Sequence, residues 1–350
     1  MALRYRVALV GYGLAGKVFH APLIAATPGL ALHCVVSRDP AKVHADWPDV
    51  RVYPDLGAML ADPAVDLVVI ATPDALHATQ AEAAIAAGKA VVIDKPFALR
   101  LADAERLCAL AAARGTLLSV FHNRRWDGDF LTLRALIAQG ALGKITLYES
   151  HFDRFRPVVE DRWREQAGAG IWPNLGPHLV DQALVLFGMP YAVSADLTVL
   201  RPGGVAPDHA HVQLLYPDLR VILHASMAMP LSTLRFAVHG LGGSFRSEGL
   251  DVQEGQSRAG MTPLDAGWGV AEHPASLYRA QPDATVRVEP VPLMRGAYPD
   301  YYAGICAALA GDGPNPVTAQ SALDTMRVMD AAERSAAEGR VIPCPADSDI

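Results

Sequence analysis

Three glycines near the start of the chain have the spacing of a dinucleotide-binding turn. Gly11, Gly13 and Gly16 follow the apolar run 7–10 at G-x-G-x-x-G spacing, and residues 15–26 have the composition of a helix. In such a strand–turn–helix unit the glycines permit a tight turn, close approach of backbone to a pyrophosphate and close helix–strand packing. The pattern predicts a bound nicotinamide or flavin dinucleotide, with an ordinary glycine-rich turn as the alternative. We expect cofactor contacts from the whole loop: Gly11, Tyr12, Gly13, Leu14, Ala15 and Gly16.

The end of the second predicted strand bears on which dinucleotide binds. NAD sites of this kind usually place Asp or Glu about 20 residues past the glycines, whereas this chain has Ser37 and Arg38, with Lys42 close behind. A hydroxyl and a guanidinium suit a 2′-phosphate, because arginine binds phosphate through paired hydrogen bonds. These residues favour NADP. NAD stays possible, because Asp39 could bind a 2′-hydroxyl and Arg38 could be a solvated surface charge.

Two further turns after predicted strands carry polar groups. Thr72-Pro73 follows one strand with His77 shortly after, and Lys95-Pro96 follows the next. Ligands of open parallel sheets bind at the carboxyl ends of the strands, so we expect cofactor contacts from all five residues of these turns. The Lys95 ammonium could also hydrogen-bond a substrate hydroxyl and stabilise a developing alkoxide. The plainer alternatives are helix initiation at Pro73, a surface histidine and a solvated lysine.

The densest polar cluster of the second half runs from Trp172 to Asp181. Asn174 and His178 are spaced i, i+4 and share one face of a helix. Pro177 suits only the start of a helix, so we expect Asn174 near the N-cap and His178 in the first turns. The positive end of the helix would keep His178 neutral and able to accept a proton. The alternatives are a capping role for Asn174 and a structural role for His178.

Alternating strands and helices must position the glycine loop and the later turns that are predicted to bind the cofactor. Short runs rich in Val and Ile alternate with alanine-rich helices that end at glycine, a pattern typical of parallel strands covered on both faces. This predicts a doubly wound, Rossmann-type dinucleotide-binding domain over residues 1–122. The predicted strands are 6–10, 30–36, 67–70, 90–93 and 117–120, and the predicted helices after the glycine loop are 75–87 and 101–114.

Residues 123–350 show a different pattern. Two apolar runs, 209–216 and 219–227, are joined by Pro217-Asp218, which predicts a hairpin. We expect an α+β substrate-binding and oligomerisation domain with an open, largely antiparallel sheet. Its other elements are strands 145–155, 234–239 and 244–248, helices 130–139, 174–187 and 319–338 (the last packing back on the first domain), and a loop-rich segment at 252–296.

The composition excludes several classes of protein. With 350 residues, 51% of them apolar and 19% charged, the chain suits a two-domain globular enzyme. A net charge of −7 argues against binding nucleic acid, and no apolar run is long enough to span a membrane. Four scattered cysteines indicate a reducing, cytoplasmic location and no disulfide framework, and no H-E-x-x-H or C-x-x-C spacing predicts a metal.

These segments resemble the Gfo/Idh/MocA (glucose–fructose oxidoreductase/inositol dehydrogenase) family nearly end to end. The resemblance is closest to the NADP-dependent scyllo-inositol dehydrogenase-like branch, and four segments carry it: 17–22, 121–130, 152–157 and 175–184. It implies a Rossmann domain, a substrate domain whose sheet forms homodimers or homotetramers, and oxidation of a sugar or polyol hydroxyl by a nicotinamide. Family members commonly have Glu where Asp94 stands. They often have Asp where Asn174 stands, and Asn can orient a hydroxyl but cannot ionise.

The expected activity is hydride transfer between NADP, or NAD, and a sugar, inositol or related polyol or keto-sugar. His178 would move the hydroxyl proton, Lys95 would hold the oxygen and Asn174 would orient it. The alternatives are a catalytically silent sensor of NADP and sugar, which Asn174 favours, and an enzyme of the same fold that reduces an imine, enone or tetrapyrrole. Weaker candidates to line the substrate pocket are Arg124, Arg154, Arg156, Trp163 and Tyr301.

Overall fold

The computed structural model of the chain describes residues 5–161, 165–166, 169–231 and 233–344. The chain forms two compact units, each assembled from separate stretches of sequence. The first stretch of unit 1 ends at Trp126. Unit 1 also contains Val252–Gly269 and Ala297–Leu323. Unit 2 contains Asp127–Asp251, Val270–Gly296 and the stretch that starts at Asp324. The sequence predicted a single division of the chain, into residues 1–122 and 123–350. The two later segments of unit 1 could not be predicted, because composition does not show which segments return by long-range packing.

Unit 1 contains a six-stranded parallel sheet in the order β3-β2-β1-β4-β5-β6. This is the Rossmann order, and it confirms the predicted fold class. The central strands are almost completely buried, because helices cover both faces. The strands are β1 (Tyr5–Val10), β2 (Leu30–Val36), β3 (Arg51–Tyr53), β4 (Leu67–Ile70), β5 (Ala90–Ile93) and β6 (Leu118–Val120).

Unit 2 contains a nine-stranded sheet in the order β14-β13-β12-β11-β7-β10-β9-β8-β15. Neighbouring strands are antiparallel except for the parallel pair β7 and β10, as expected for a largely antiparallel sheet. The strands are β7 (Ile145–Asp153), β8 (Ala192–Thr198), β9 (His209–Leu215), β10 (Arg220–Ser226), β11 (Leu234–Gly240), β12 (Gly243–Glu248), β13 (Ala275–Ala280), β14 (Val286–Val291) and β15 (Ile342–Pro343).

The helices connect and cover these strands. They are α1 (Ala21–Ala26), α2 (Pro40–His44), α3 (Leu56–Leu60), α4 (His77–Ala86), α5 (Leu101–Arg114), α6 (Gly128–Ala138), α7 (Ile171–Phe187), α8 (Gln253–Arg258), α9 (Pro299–Ala310) and α10 (Ala319–Glu338). A π-helical turn at Gly16–His20 leads into α1, and 3₁₀ turns lie at Asp74–Leu76 and Asn123–Trp126. No helix in the described ranges has the length and apolarity needed to cross a bilayer.

The sheet of unit 2 has one covered and one open face. Alternate residues of β7, among them Tyr148 and Phe152, join the apolar core with Trp172 and Leu179 of α7. The residues between them point to the opposite face, because side chains alternate along a strand. Segment 252–296, predicted to be loop-rich, also contains α8, β13 and β14. The edge strand β14 alternates Val and charged residues over 286–289, and its edge position tolerates Pro290.

Candidate functional site

The turns that follow the parallel strands of unit 1 begin at one edge of the sheet. The last residues of four neighbouring strands are register partners: Val36, Val10, Ile70 and Ile93. Backbone hydrogen bonds extend this register by one residue, from Gly11 N–H to Val36 O at 3.0 Å and from Asp94 N–H to Ile70 O at 2.8 Å. The structure thereby brings the glycine loop and the three other turns predicted to bind the cofactor to the same edge.

The glycine loop has a conformation that demands two of its glycines. Gly11 has a φ of +98°, in the left-handed region, and a Cβ there would lie 2.6 Å from the carbonyl oxygen of Ala71. A Cβ on Gly16 would collide with the carbonyl oxygen of Gly11. A Cβ on Gly13 would meet nothing within 4 Å, so open space lies over the backbone at this position. The loop therefore presents backbone to a space in which a pyrophosphate would fit.

Other residues of the loop differ in exposure. Leu14 is 51% exposed, whereas Tyr12 is buried and its hydroxyl donates to Asp46 Oδ2 at 2.9 Å. Burial and the nearby Asp46 carboxylate hold the pKa of Tyr12 well above its usual range. Lys17 donates to the same carboxylate at 3.0 Å. The Tyr12 side chain thus remains neutral and ties the glycine loop to the residues after α2.

The turn after β2 leaves two cations exposed. Asp39 caps α2, because its side chain accepts a hydrogen bond from Lys42 N–H at 3.1 Å. The Ser37 hydroxyl accepts from Asp39 N–H at 3.1 Å. Within the described residues, neither Arg38 nor Lys42 belongs to an ion pair, and both are exposed. The carboxylate of this turn is therefore engaged by backbone, while its guanidinium and ammonium remain available.

A buried histidine links the two other turns. His77 Nδ1 lies 2.8 Å from Pro96 O, and His77 Nε2 lies 2.9 Å from Thr72 O. The Thr72 hydroxyl also donates to Gln80 Oε1 at 2.7 Å. His77 therefore fixes the spacing between the Thr72 turn and the Lys95-Pro96 turn, whose peptide bond is cis.

A second buried histidine reaches the residue before Lys95. Lys95 N–H donates to Asp94 Oδ1 at 2.9 Å, and His20 Nε2 lies 3.6 Å from the same oxygen. His20 Nδ1 lies 2.7 Å from the hydroxyl of Tyr302, and both side chains are fully buried. Burial acts to raise the pKa of Asp94, but the nearby His20 and the charge of Lys95 outweigh it and lower the pKa. Asp94 is thus an ionised carboxylate next to Lys95.

The motifs gave no role to His20, Asp94 or Tyr302 in this network. His20 lies four residues beyond Gly16, in the helical segment that follows the glycine loop. That position was the signal available in the sequence, since this segment begins at the sheet edge. Tyr302 could not have been found, because it lies 282 positions from its partner.

Helix α7 carries Asn174 and His178, but it begins earlier than predicted. Its N-cap is Gly170, and its first residue is Ile171. Asn174 is therefore not at the N-cap, and Pro177 lies inside the helix. The apolar burial of α7 in the unit 2 core outweighs the backbone hydrogen bond that Pro177 lacks. Because the effect of the helix end fades within the first turn, the argument that it keeps His178 neutral was wrong.

The surroundings of His178 nevertheless favour a defined orientation of its side chain. His178 is buried on α7, one helical turn from the half-buried Asn174. Its ring lies 6.2 Å from that of Phe152 on β7, measured between centroids. Gln182, one turn further along, accepts a hydrogen bond from the buried Arg235 at 2.6 Å. Polar groups therefore continue along this face of α7.

The weaker substrate candidates have different surroundings. In unit 2, Arg154 and Arg156 follow β7 directly, and their backbone N–H groups donate to the end of β10 at 2.8 Å each. Arg156 is exposed and Arg154 half-buried. Trp163 lies outside the described residues. Both residues of the β7 extension remain predicted substrate contacts.

The two candidates of unit 1 have protein partners. Arg124 is buried and forms an ion pair with Glu254 at 2.6 Å. Tyr301 is fully buried, and its hydroxyl lies 2.8 Å from Ser119 Oγ. These contacts favour the structural alternative for both side chains.

Comparison with known proteins covers both units. The family profile described as "Oxidoreductase family, NAD-binding Rossmann fold" matches residues 5–122, and "Oxidoreductase family, C-terminal alpha/beta domain" matches residues 134–344. The chain belongs to the Gfo/Idh/MocA family. It is thus an oxidoreductase-family protein with an NAD-binding Rossmann domain.

Relatives in the Gfo/Idh/MocA family match over nearly their full length. The oxidoreductase YdgJ of Escherichia coli K12 is 48% identical over 338 residues, 96% of this chain and 97% of its own. The scyllo-inositol 2-dehydrogenase (NADP(+)) IolW of Bacillus subtilis is 38% identical over 341 residues, 96% of this chain and 95% of its own. Among solved structures, the oxidoreductase YPO2259 of Yersinia pestis has a TM-score of 0.96 at 46% identity and 99% coverage of both chains.

Proposed function

We propose that this protein is an NADP-dependent dehydrogenase or reductase that acts on a sugar, an inositol or a related polyol or keto-sugar. The observation that carries the proposal is the position of Lys95 at the same sheet edge as the glycine loop. A lysine there lies beside the site of a dinucleotide. The similarity to IolW, whose name gives NADP and scyllo-inositol, supports the cofactor and the substrate class.

The residues of unit 1 fit a dinucleotide. Open space lies over the backbone of Gly13, and Arg38 and Lys42 are exposed beyond β2. One oxygen of the Asp39 carboxylate is engaged in capping α2. When bound, the nicotinamide supplies the acceptor or donor of the hydride.

The protein's own residues would handle the substrate oxygen and its proton. In the direction of oxidation, His178 Nδ1 or Nε2 accepts the hydroxyl proton and returns it in reduction. The Lys95 ammonium donates a hydrogen bond to a substrate oxygen and stabilises the charge that develops on it. The Asn174 amide orients the hydroxyl but exchanges no proton. General acid–base catalysis of this kind contributes about 10²- to 10⁴-fold in rate.

The test of this function is an activity screen with the purified protein. NADP and NAD would each be combined with inositols, aldoses and sugar alcohols, and NADPH and NADH with the corresponding keto forms, while cofactor absorbance is followed. We expect turnover with at least one cyclic polyol or sugar and a preference for NADP. If NADPH binds but nothing in the panel is turned over, the chain is a cofactor-binding sensor, which the Asn174 position favours. If neither cofactor binds, both functions are excluded.

Arg38→Ala is expected to raise the KM for NADP about tenfold and to leave the KM for NAD unchanged. A hydrogen bond to a charged group contributes about 1.5 kcal/mol, and about 1.4 kcal/mol corresponds to a factor of ten. The measurement is initial rate against cofactor concentration for both cofactors. Arg114→Ala is the control, because this exposed arginine ends α5, whose carboxyl end lies at the amino ends of the parallel strands. Equal effects on NADP and NAD would contradict a contact with the 2′-phosphate.

The proposal includes association of two or four copies through the open face of the unit 2 sheet. Val286 and Val288 of the edge strand β14 are 59% and 55% exposed, which is unusual for apolar strand residues. Burial against a second copy would remove this apolar surface from water. Light scattering after size exclusion is the measurement, and a species with the mass of one chain, 37.3 kDa, would contradict the association.

A further inference from the structure

The open face of the unit 2 sheet carries a cluster of histidines around one carboxylate. His151 and Asp153 are alternate residues of β7 and share a face. His224 of β10 is the register partner of His151, and His211 of β9 is the register partner of His224. His209, two residues before His211, lies on the same face. Three adjacent strands therefore bring imidazoles to one place.

Asp153 is in contact with two of these rings. Its Oδ2 lies 3.1 Å from His151 Nδ1, and its Oδ1 lies 2.7 Å from His224 Nδ1. The side chains of the carboxylate and the two rings are 4%, 15% and 11% exposed, so water has little access to them. The carboxylate is therefore shared between the two imidazoles.

Two further ring nitrogens of the cluster lack a hydrogen bond. His151 Nε2 is buried without a hydrogen-bond partner among the described residues, and Oε2 of Glu149 lies 3.6 Å from it. His209 Nδ1 is also buried without a partner in that part of the chain, and its ring lies 5.1 Å from that of His224. Buried nitrogens without partners are costly, and a bound ion or water is one explanation for them.

We propose that His151, Asp153 and His224 bind one divalent transition-metal ion, with zinc as the ion that this donor set suits. One ligand atom from each residue lies within 4.8 Å of the others. Ligands at 2.0–2.2 Å in a tetrahedral zinc site lie about 3.3 Å apart, close to the 2.7 and 3.1 Å separations of Asp153 from the two Nδ1 atoms. Imidazole nitrogen and carboxylate oxygen are both common zinc ligands.

This arrangement also gives the neighbouring Glu149 carboxylate a role. When Nδ1 of His151 binds the ion, its Nε2 carries the proton and faces the Glu149 carboxylate. A metal-bound histidine commonly donates its second N–H to a carboxylate in this way, which fixes the ring. His209 lies beside His224 but outside this group of three ligands. The cluster has no sequence signature, because its ligands come from strands that are far apart in the chain, and the motifs therefore predicted no metal.

Metal titration of the full-length protein tests the site. The protein is treated with EDTA, dialysed, and titrated with Zn²⁺ by calorimetry and with Co²⁺ by visible absorption, without any cofactor. We expect one ion per chain and the visible absorption spectrum of a Co²⁺ ion with a low coordination number. His151→Ala and His224→Ala should each weaken binding at least about tenfold. His239→Ala is the matched control, since the ring of this exposed histidine of β11 bonds only to Ser244 within the described residues and its removal should leave binding unchanged.

The wild-type titration keeps the proposal falsifiable even where a variant does not fold. A wild-type protein that binds no Zn²⁺ or Co²⁺ overturns it, and so does binding that is equal in the wild type and in a folded His224→Ala variant. Circular dichroism shows whether each variant is folded. The readout involves neither NADP nor turnover, so this result is independent of the proposed redox function.

Discussion

Lys95→Ala lowers turnover by about 10²- to 10⁴-fold and leaves NADPH affinity within a few-fold of the wild type. The first effect is expected because the variant lacks the ammonium that holds the substrate oxygen and stabilises its developing charge. The second is expected because the glycine loop and Arg38, which hold the phosphates in our proposal, are unchanged. Asp94 stays tied to His20, so the turn keeps much of its support.

Steady-state rates and NADPH fluorescence titrations measure these two effects separately. Lys144→Ala is the control, because this lysine is 57% exposed and forms a surface ion pair with Asp218, which contributes little to stability. Retained turnover in Lys95→Ala would remove this residue from the mechanism. A variant that loses NADPH binding altogether would instead assign Lys95 to the cofactor site.

His178→Ala is the second change with a large expected effect. We expect kcat to fall by about 10²- to 10⁴-fold, because no side chain replaces the imidazole as proton acceptor. The pH dependence of kcat should also lose the ionisation that belongs to this residue. In contrast, Asn174→Asp should raise the rate of oxidation, since a carboxylate can stabilise an imidazolium one helical turn away, whereas the amide of Asn174 cannot.

The pH profile distinguishes proton transfer from a merely structural role of His178. A structural role would reduce activity at every pH by the same factor and would lower the urea midpoint. His239→Ala serves again as the control, because it removes an exposed imidazole of the same unit. If His178→Ala keeps the wild-type profile and rate, the proton acceptor must be sought elsewhere, and the Asn174→Asp variant should then show no gain.

The strands of unit 1 could be predicted because they are buried on both faces. Runs such as 67–70 and 90–93 contain only apolar residues, and their predicted bounds equal those of β4 and β5. The short strand β3 has too few residues for a periodic pattern, and Pro290 interrupts the alternation of the edge strand β14. The start of α7 was predicted too late because local rules for proline ignore the burial that stabilises the helix around Pro177.

The positions of candidate site residues could be predicted from the sequence only where the strand topology determines them. Residues that directly follow parallel strands must lie at one edge, so the placement of Thr72 and Lys95 together could be predicted from their positions alone. The contacts that hold them could not. His77 bonds to two backbone carbonyls and His20 to a tyrosine of α9, and neither kind of partner leaves a short sequence pattern.

The return of residues 297–323 to unit 1 limits how this chain can be divided by protein engineering. Tyr302 supports His20, and Val317 O accepts a hydrogen bond from Ser119 on β6, so the cofactor-binding half is finished only near the end of the chain. A chimaera made with one crossover after β6 would join strands of one parent to a supporting helix of the other. Exchange of cofactor preference between relatives therefore calls for a donor fragment in at least two pieces, or for changes confined to the turn after β2.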